Sequence, residues 1–194
     1  VSLNLTNFEV SPMHEVLEAT RQVALAEGVV VTGSELIGLV PLAALTDAGT
    51  YYLNKAGQNP GVPISELVDM AIHSMGLRDI GSFDPDERII ERRIGGDGHL
   101  ASMNSRVFVD TPSPSAPAPG GGSVAALSGA TSAALSAMVG TLTSGKKGYE
   151  QMSEAHKQNS VTAQALKDAY LHDVDADTAA FNGIMDAFSL PKKT

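Results

Sequence analysis

Between Ser123 and Leu142 the chain runs for twenty residues without a charged side chain. This stretch constrains the fold more than any other, because a helix apolar on every side is either a core helix or a membrane span. Ser128, Thr131, Ser132, Ser136 and Thr141 interrupt it, glycines dilute it, and most of the remainder is alanine. The expectation is a helix buried on all sides in protein, not a bilayer span. Gly122, Ala126, Ala130 and Ala134 recur every four residues, as do Gly129, Ala133 and Ala137. A face of small residues lets a second helix approach closely, in a tight bundle or across a dimer seam. Gly145 ends the stretch. Tyr149–Leu190 then reads as one or two amphipathic helices with Val161, Ala165, Tyr170, Val174, Phe181 and Met185 towards the core.

Residues 1–95 have a different texture. Val1, Leu3 and Leu5 alternate with Ser2, Asn4 and Thr6, the period of a half-buried strand, and Val29–Thr32 is a short β-branched run that reads as a second strand. Ser11 and Pro12 open a helix that Gly28 closes. Pro41 opens another through about Asn54, Ile64–Met75 is a third ended by Gly76, and Asp84-Pro85-Asp86-Glu87 starts a short one through Arg93. Strands alternating with helices predict an α/β unit. The chain as a whole is therefore expected to be α+β: an α/β unit at 1–95, a Pro/Gly-rich linker at 96–118, and a partial, all-helical bundle at 119–194. Pro112, Pro114, Pro117 and Pro119 mark the linker, and Val107-Phe108-Val109 within it is expected to dock on the helices that follow.

Charge and composition exclude some functions. Residues 1–95 carry six Lys/Arg against thirteen Asp/Glu, and residues 96–194 carry seven against nine. With no basic stripe to neutralise phosphates, nucleic acid is not expected as a partner. The chain has no cysteine, so there is no disulfide framework, thiolate metal site or catalytic thiol. No basic segment followed by an apolar one opens the chain, and a cytoplasmic setting is expected. It begins at Val1 within a strand-like alternation and stops at Pro191-Lys192-Lys193-Thr194, so both ends read as cuts in a longer protein.

Four motifs could carry chemistry. Gly33-Ser34-Glu35-Leu36-Ile37-Gly38-Leu39-Val40-Pro41 turns from a strand end towards a helix start, where free backbone N–H groups could hold a carboxylate or a polar heterocycle. Its glycines could equally just permit the turn. Pro119-Gly120-Gly121-Gly122-Ser123 opens the uncharged helix with no Cβ to block a ligand from the amides. It lacks the Lys-Ser/Thr ending of a nucleotide P-loop, and a hinge with Ser123 as N-cap is the alternative. Lys146-Lys147 follow that helix and could bind an anionic tail or only complement the helix dipole. In Asp173-Val174-Asp175-Ala176-Asp177, Asp173 and Asp177 fall one helical turn apart while Asp175 points elsewhere. Like charges at that spacing disfavour joint ionisation and suit one carboxyl to proton transfer; a solvated acidic face is the plainer reading. His14, His73, His99, His156 and His172 show no metal-ligand spacing, and no metal is expected.

Taken together, these segments resemble the bifunctional formiminotransferase–cyclodeaminase family. Val1-Ser2-Leu3-Asn4-Leu5-Thr6-Asn7-Phe8-Glu9-Val10, the Gly33–Pro41 motif and Glu87-Arg88-Ile89-Ile90-Glu91 look like the second transferase subdomain. Pro119–Ala126, Gly145-Lys146-Lys147-Gly148-Tyr149-Glu150 and Asp175-Ala176-Asp177-Thr178-Ala179-Ala180-Phe181 resemble the opening of the cyclodeaminase domain. The resemblance implies a folate enzyme of histidine breakdown. Such an enzyme moves a formimino group from N-formimino-L-glutamate to the co-substrate tetrahydrofolate, then expels ammonia to give 5,10-methenyltetrahydrofolate. It assigns Asp177 as the cyclodeaminase acid/base and implies a homo-oligomer through the helical domain; the candidate folate contacts are Asn4, Ser34, Glu35, Gly120, Gly121, Gly122, Ser123, Lys146 and Lys147, with the choice among Asn4, Ser34 and Glu35 left open. The family's transferase histidine and main folate-binding segment belong to a first subdomain that nothing here matches. A methenyltetrahydrofolate cyclohydrolase relative, or a truncated remnant that only binds folate or self-associates, are the competing readings.

Overall fold

The computed structural model describes residues 1–95, 98–112 and 117–190. Residues 96–97 and 113–116 of the expected linker, and 191–194 at the C-terminus, lie outside the described residues. The chain divides into two compact units, Val1–Gly96 and Asp97–Thr194.

In the first unit, three helices carry the core: α1 (Met13–Ala26), α2 (Leu42–Lys55) and α3 (Ile64–Met75). Pro12, Pro41 and Pro63 stand at their N-caps, where the fixed proline φ aims the chain into the first turn. Ser11 therefore does not cap α1. Gly76 closes α3 in the left-handed conformation (φ 65°), which leaves no Cβ to clash. Two short helices follow, α4 (Pro85–Arg88), capped by the Asp84 carboxylate on Asp86 N–H, and α5 (Ile90–Ile94). The single helix expected through Arg93 is interrupted because Ile89 adopts an extended conformation and is completely buried.

α2 and α3 meet backbone to backbone: a Cβ on Gly49 would overlap the Leu67 carbonyl. Leu45, Ala48, Val68, Ala71, Ile72 and Ile89 fill the space between. Burying a side chain such as Leu45, Val68 or Ile89 contributes about 1.5–3 kcal/mol. Glu18 of α1 accepts hydrogen bonds from Arg21, Lys55 and the Tyr52 hydroxyl, and Arg21 donates to the Ser74 carbonyl, tying α1 to α2 and α3.

The expected α/β unit is not what forms. Among the described residues there is no sheet, and the one β-type pairing is an isolated parallel bridge between Val40 and Ile89. Val1–Thr6 and Val29–Thr32 have the composition of strands but, among the described residues, no neighbouring strand to pair with. A strand is stabilised only through cross-strand pairs, so alternation without a partner leaves exposed, extended chain. Val29 and Val30 are both exposed, Val30 to 78%, while Val31 packs against the core.

The second unit is a helical hairpin with a small cap. α6 (Ser105–Asp110) starts on the Asn104 side chain, which accepts Val107 N–H; α7 (Gly121–Thr143) and the 37-residue α8 (Ser153–Ser189) pack against each other. A 3-10 turn at Glu150–Met152 leads into α8. The face that α7 turns to α8 is Ser123, Ala126, Ala130, Ala133, Ala137 and Gly140. Its spacing alternates three and four, not a strict four. A residue every fourth position drifts round a 3.6-residue helix, whereas alternation keeps one straight seam.

α7 is therefore not buried on all sides: Leu135, Met138, Val139 and Leu142 are exposed, and by length and composition it could cross a bilayer. Of the residues expected in the α8 core, Val174 is completely buried, Phe181 is half-buried, and Val161, Ala165, Tyr170 and Met185 lie on the exposed side. Phe108 and Leu100, from the Pro-flanked stretch, pack with Ala126 and Val174.

Candidate active site

Because α7 and α8 run antiparallel, the C-terminal part of α8 lies beside the first turn of α7. Three close approaches mark the register: Gly140 against Ser160, Gly129 against the Tyr170 ring, and Gly122 against Asp177. Each pairs a glycine on α7 with a larger side chain on α8. The separation is so small that a Cβ on Gly122 would overlap the Asp177 carboxylate.

Ser123 is the pivot of this site. It is completely buried, and its backbone N–H donates to Asp177 Oδ2 at 3.1 Å. Its hydroxyl donates to the Val174 carbonyl at 2.7 Å and lies 3.4 Å from the same Asp177 oxygen. Thr178 Oγ1 stands 3.1 Å from Ser123 Oγ. Since the Ser123 proton goes to Val174, Thr178 is the donor in that pair. Asp177 thus satisfies one of the otherwise orphaned N–H groups in the first turn of α7, the role a Ser or Asp N-cap ordinarily plays. Gly120, the residue at that cap, has no side chain to do it. Asp177 is an exposed residue, and its Oδ1 has no hydrogen bond among the described residues. One oxygen held and the other without a hydrogen bond among the described residues, on an exposed residue, is a geometry fit for passing a proton to and from a bound molecule.

Of the other carboxylates in the run, Asp173 lies one turn before Asp177 on the same side of α8, while Asp175 faces elsewhere. Asp173 is exposed, with His172 Nδ1 at 3.7 Å. Asp175 accepts Leu100 N–H at 2.9 Å and Ala101 N–H at 3.0 Å. Its partners lie some 75 residues upstream, which is why no local pattern pointed to them.

The structure brings Gly120, Gly121, Gly122 and Ser123 together with Asp177, but not Lys146 or Lys147. The lysines follow the far end of α7, a helix of 23 residues, hence about 34 Å long. There the Lys146 ammonium lies 5.8 Å from the centre of the Tyr149 ring.

In the first unit the Gly33–Pro41 motif is held by contacts within the protein. The Ser34 hydroxyl donates to the Met75 carbonyl at 2.7 Å and its N–H to Gly76, so Ser34 satisfies the end of α3. Glu35 and Asn4 are exposed, and among the described residues neither side chain hydrogen-bonds to Ser34. Val40 exchanges backbone hydrogen bonds with Arg88 and Ile90, and the Glu91 carboxylate accepts Leu42 N–H at 2.7 Å, capping α2. The motifs at 33–41 and 87–91 are thus one structural feature. Among the described residues no three His, Asp or Glu side chains cluster as metal ligands would.

Comparison with known proteins gives the two units a class. Residues 1–95 match the formiminotransferase domain family, and residues 104–194 match the family described as formiminotransferase-cyclodeaminase. The formimidoyltransferase-cyclodeaminase of Mus musculus is 36% identical over 197 residues, taking in all of this chain and 36% of the relative. That of Dictyostelium discoideum is 38% identical over 197 residues, 99% of this chain and 36% of the relative. A methenyltetrahydrofolate cyclohydrolase of Methylorubrum extorquens is 42% identical over 87 residues, 45% of this chain and 42% of the relative. The chain belongs to the formiminotransferase–cyclodeaminase family, and it spans 36% of the length of the bifunctional relatives it matches.

Proposed function

We infer that this chain serves a folate-dependent enzyme of one-carbon metabolism, and that Asp177 is its cyclodeaminase acid/base. The observation that carries the reading is the exposed Asp177 carboxylate, anchored through Oδ2 to Ser123 N–H, with Oδ1 making no hydrogen bond among the described residues. The substrate is 5-formiminotetrahydrofolate, formed by formimino transfer from N-formimino-L-glutamate to tetrahydrofolate.

In that substrate, taken in its protonated amidinium form, the formimino carbon is attacked by N10, which leaves an amino group on that carbon. A C–N10 bond forms, and the N10 proton must leave. Asp177 accepts it and returns it to the amino nitrogen on the same carbon; the C–N bond then breaks, ammonia departs, and the methenyl bridge remains. A single carboxylate alternating between base and acid suffices, provided it is held within reach of both nitrogens. Ser123 supplies that hold. The exposed apolar residues of α7 (Leu135, Met138, Val139, Leu142) support a homo-oligomer through the helical unit. A cytoplasmic location is part of the same proposal.

Asp177→Asn keeps the size and one acceptor oxygen but cannot shuttle the proton. Ammonia release from 5-formiminotetrahydrofolate is expected to fall by about 10²-fold or more, with the circular dichroism unchanged. Undiminished release would remove Asp177 from the role.

The stretch shared with the cyclohydrolase relative supports a second reading: hydrolysis of the methenyl bridge at the same carbon. The match of residues 1–95 to the formiminotransferase domain favours the first. Incubation with methenyltetrahydrofolate separates the two, since hydrolysis consumes it without releasing ammonia.

A further inference from the structure

Asp175 takes no part in the proton shuttle above, yet both of its carboxylate oxygens accept backbone hydrogen bonds, Leu100 N–H at 2.9 Å and Ala101 N–H at 3.0 Å. Gly98 lies so close to this carboxylate that a Cβ there would overlap it. The segment held in this way is not a loose arm. Leu100 and Phe108 are buried with Ala126 of α7 and Val174 of α8, bridging the two helices at their shared end. Val174 is in turn the residue whose carbonyl receives the Ser123 hydroxyl, and Ser123 N–H holds Asp177.

These contacts form one physical path from Asp175 to Asp177 through residues 98–108, Ala126, Val174 and Ser123. Two charge-assisted bonds to successive amides fix a backbone segment more firmly than apolar packing alone, because they set direction as well as distance. We propose that Asp175 is a positioning residue: it pins residues 98–103 across the end of the α7–α8 pair and so fixes the separation at which Ser123 meets the Asp177 carboxylate. Its catalytic consequence rests on the reading of Asp177 given above; its geometric consequence does not.

The experiment compares Asp175→Ala, Asp175→Asn and Asp177→Asn with Tyr170→Ala in the full chain. Tyr170 packs on Gly129 in the middle of the hairpin, so its loss weakens the helix pair away from this end. Two readouts are taken: exchange of the Ser123 amide by NMR, which needs no turnover, and kcat and KM for ammonia release. Asp175→Ala is expected to speed Ser123 amide exchange and lower kcat by about tenfold each, with KM little changed. Asp175→Asn keeps one acceptor oxygen and should fall between, which also guards against an Ala variant that fails to fold. Tyr170→Ala should lower the melting temperature without either effect.

Ser123 exchange unchanged in both Asp175 variants would overturn the proposal, as would a fall in Tyr170→Ala matching theirs. Unchanged kcat in the Asp175 variants while Asp177→Asn is inactive would also overturn it. Activity retained in Asp177→Asn would instead sink the catalytic reading, and Asp175 would then be judged on the Ser123 amide alone.

Discussion

The Asp177 carboxylate occupies the space that a side chain on Gly122 would fill, so the two residues are neighbours only because one of them has no Cβ. The run of glycines at 120–122 therefore does more than open a helix. It lets a carboxylate from a helix more than fifty residues away reach the first turn of α7.

Gly122→Ala is expected to displace the Asp177 carboxylate while leaving helix propensity slightly improved, since Ala is the better helix former. Cyclodeaminase activity should drop by about 10²-fold, in proportion to a misplacement of about 1 Å, with only a small change in melting temperature. Steady-state assays beside thermal melts check this. Full activity would mean that the carboxylate does not need its place on the glycine.

A second glycine contact lies in the first unit. A Cβ on Gly49 would overlap the Leu67 carbonyl, which belongs to a helix backbone and cannot move aside alone. Gly49→Ala should force α2 and α3 apart and destabilise this unit by about 1–3 kcal/mol, as overpacking does. Urea unfolding measures it; an unchanged or raised midpoint would contradict the close approach.

Acid should destabilise the first unit in two stages. Burial holds the His14 pKa below its ordinary value of 6.5, although the nearby Glu15, Asp47 and Glu18 charges oppose the shift. The imidazole stacks on Tyr51 with ring centres 4.5 Å apart, and its Nδ1 is buried without a hydrogen-bond partner among the described residues. Between 6.5 and the folded value the unfolded chain binds a proton that the folded one does not, so stability is full above 6.5 and is lost as pH falls through that window. Glu18 follows with the same sign. The hydrogen bond from Lys55, joined by that from Arg21, holds its pKa below 4.5, and its contribution disappears on further acidification. Circular dichroism melts across pH 7 to 3 should show the midpoint falling through both stages. His14→Phe, which preserves the stack, should abolish the first only.

Local signals placed much of the helical structure. Pro41 and Asp84-Pro85 mark helix starts and Gly76 a helix end because each acts through its own backbone geometry, without reference to distant residues. The small-residue face of α7 was legible for the same reason, as composition at helical spacing. Its period is not legible in the same way, because sequence alone does not say which partner the seam must follow. The strands failed for a clearer reason: Val1–Thr6 and Val29–Thr32 have strand composition, but a sheet exists only where a second strand accepts the hydrogen bonds, and among the described residues none does.

The sequence by itself determined the helix termini, the uncharged stretch and the family, since each is written in residue type and short-range order. Only the tertiary structure decided that Asp177 meets Ser123, that Asp175 turns away to hold Leu100 and Ala101, and that Lys146 and Lys147 stand a helix length from both. Those outcomes depend on the antiparallel register of α7 and α8. That register is set by where backbones without a Cβ between them can touch, a condition on two segments at once that neither segment carries alone.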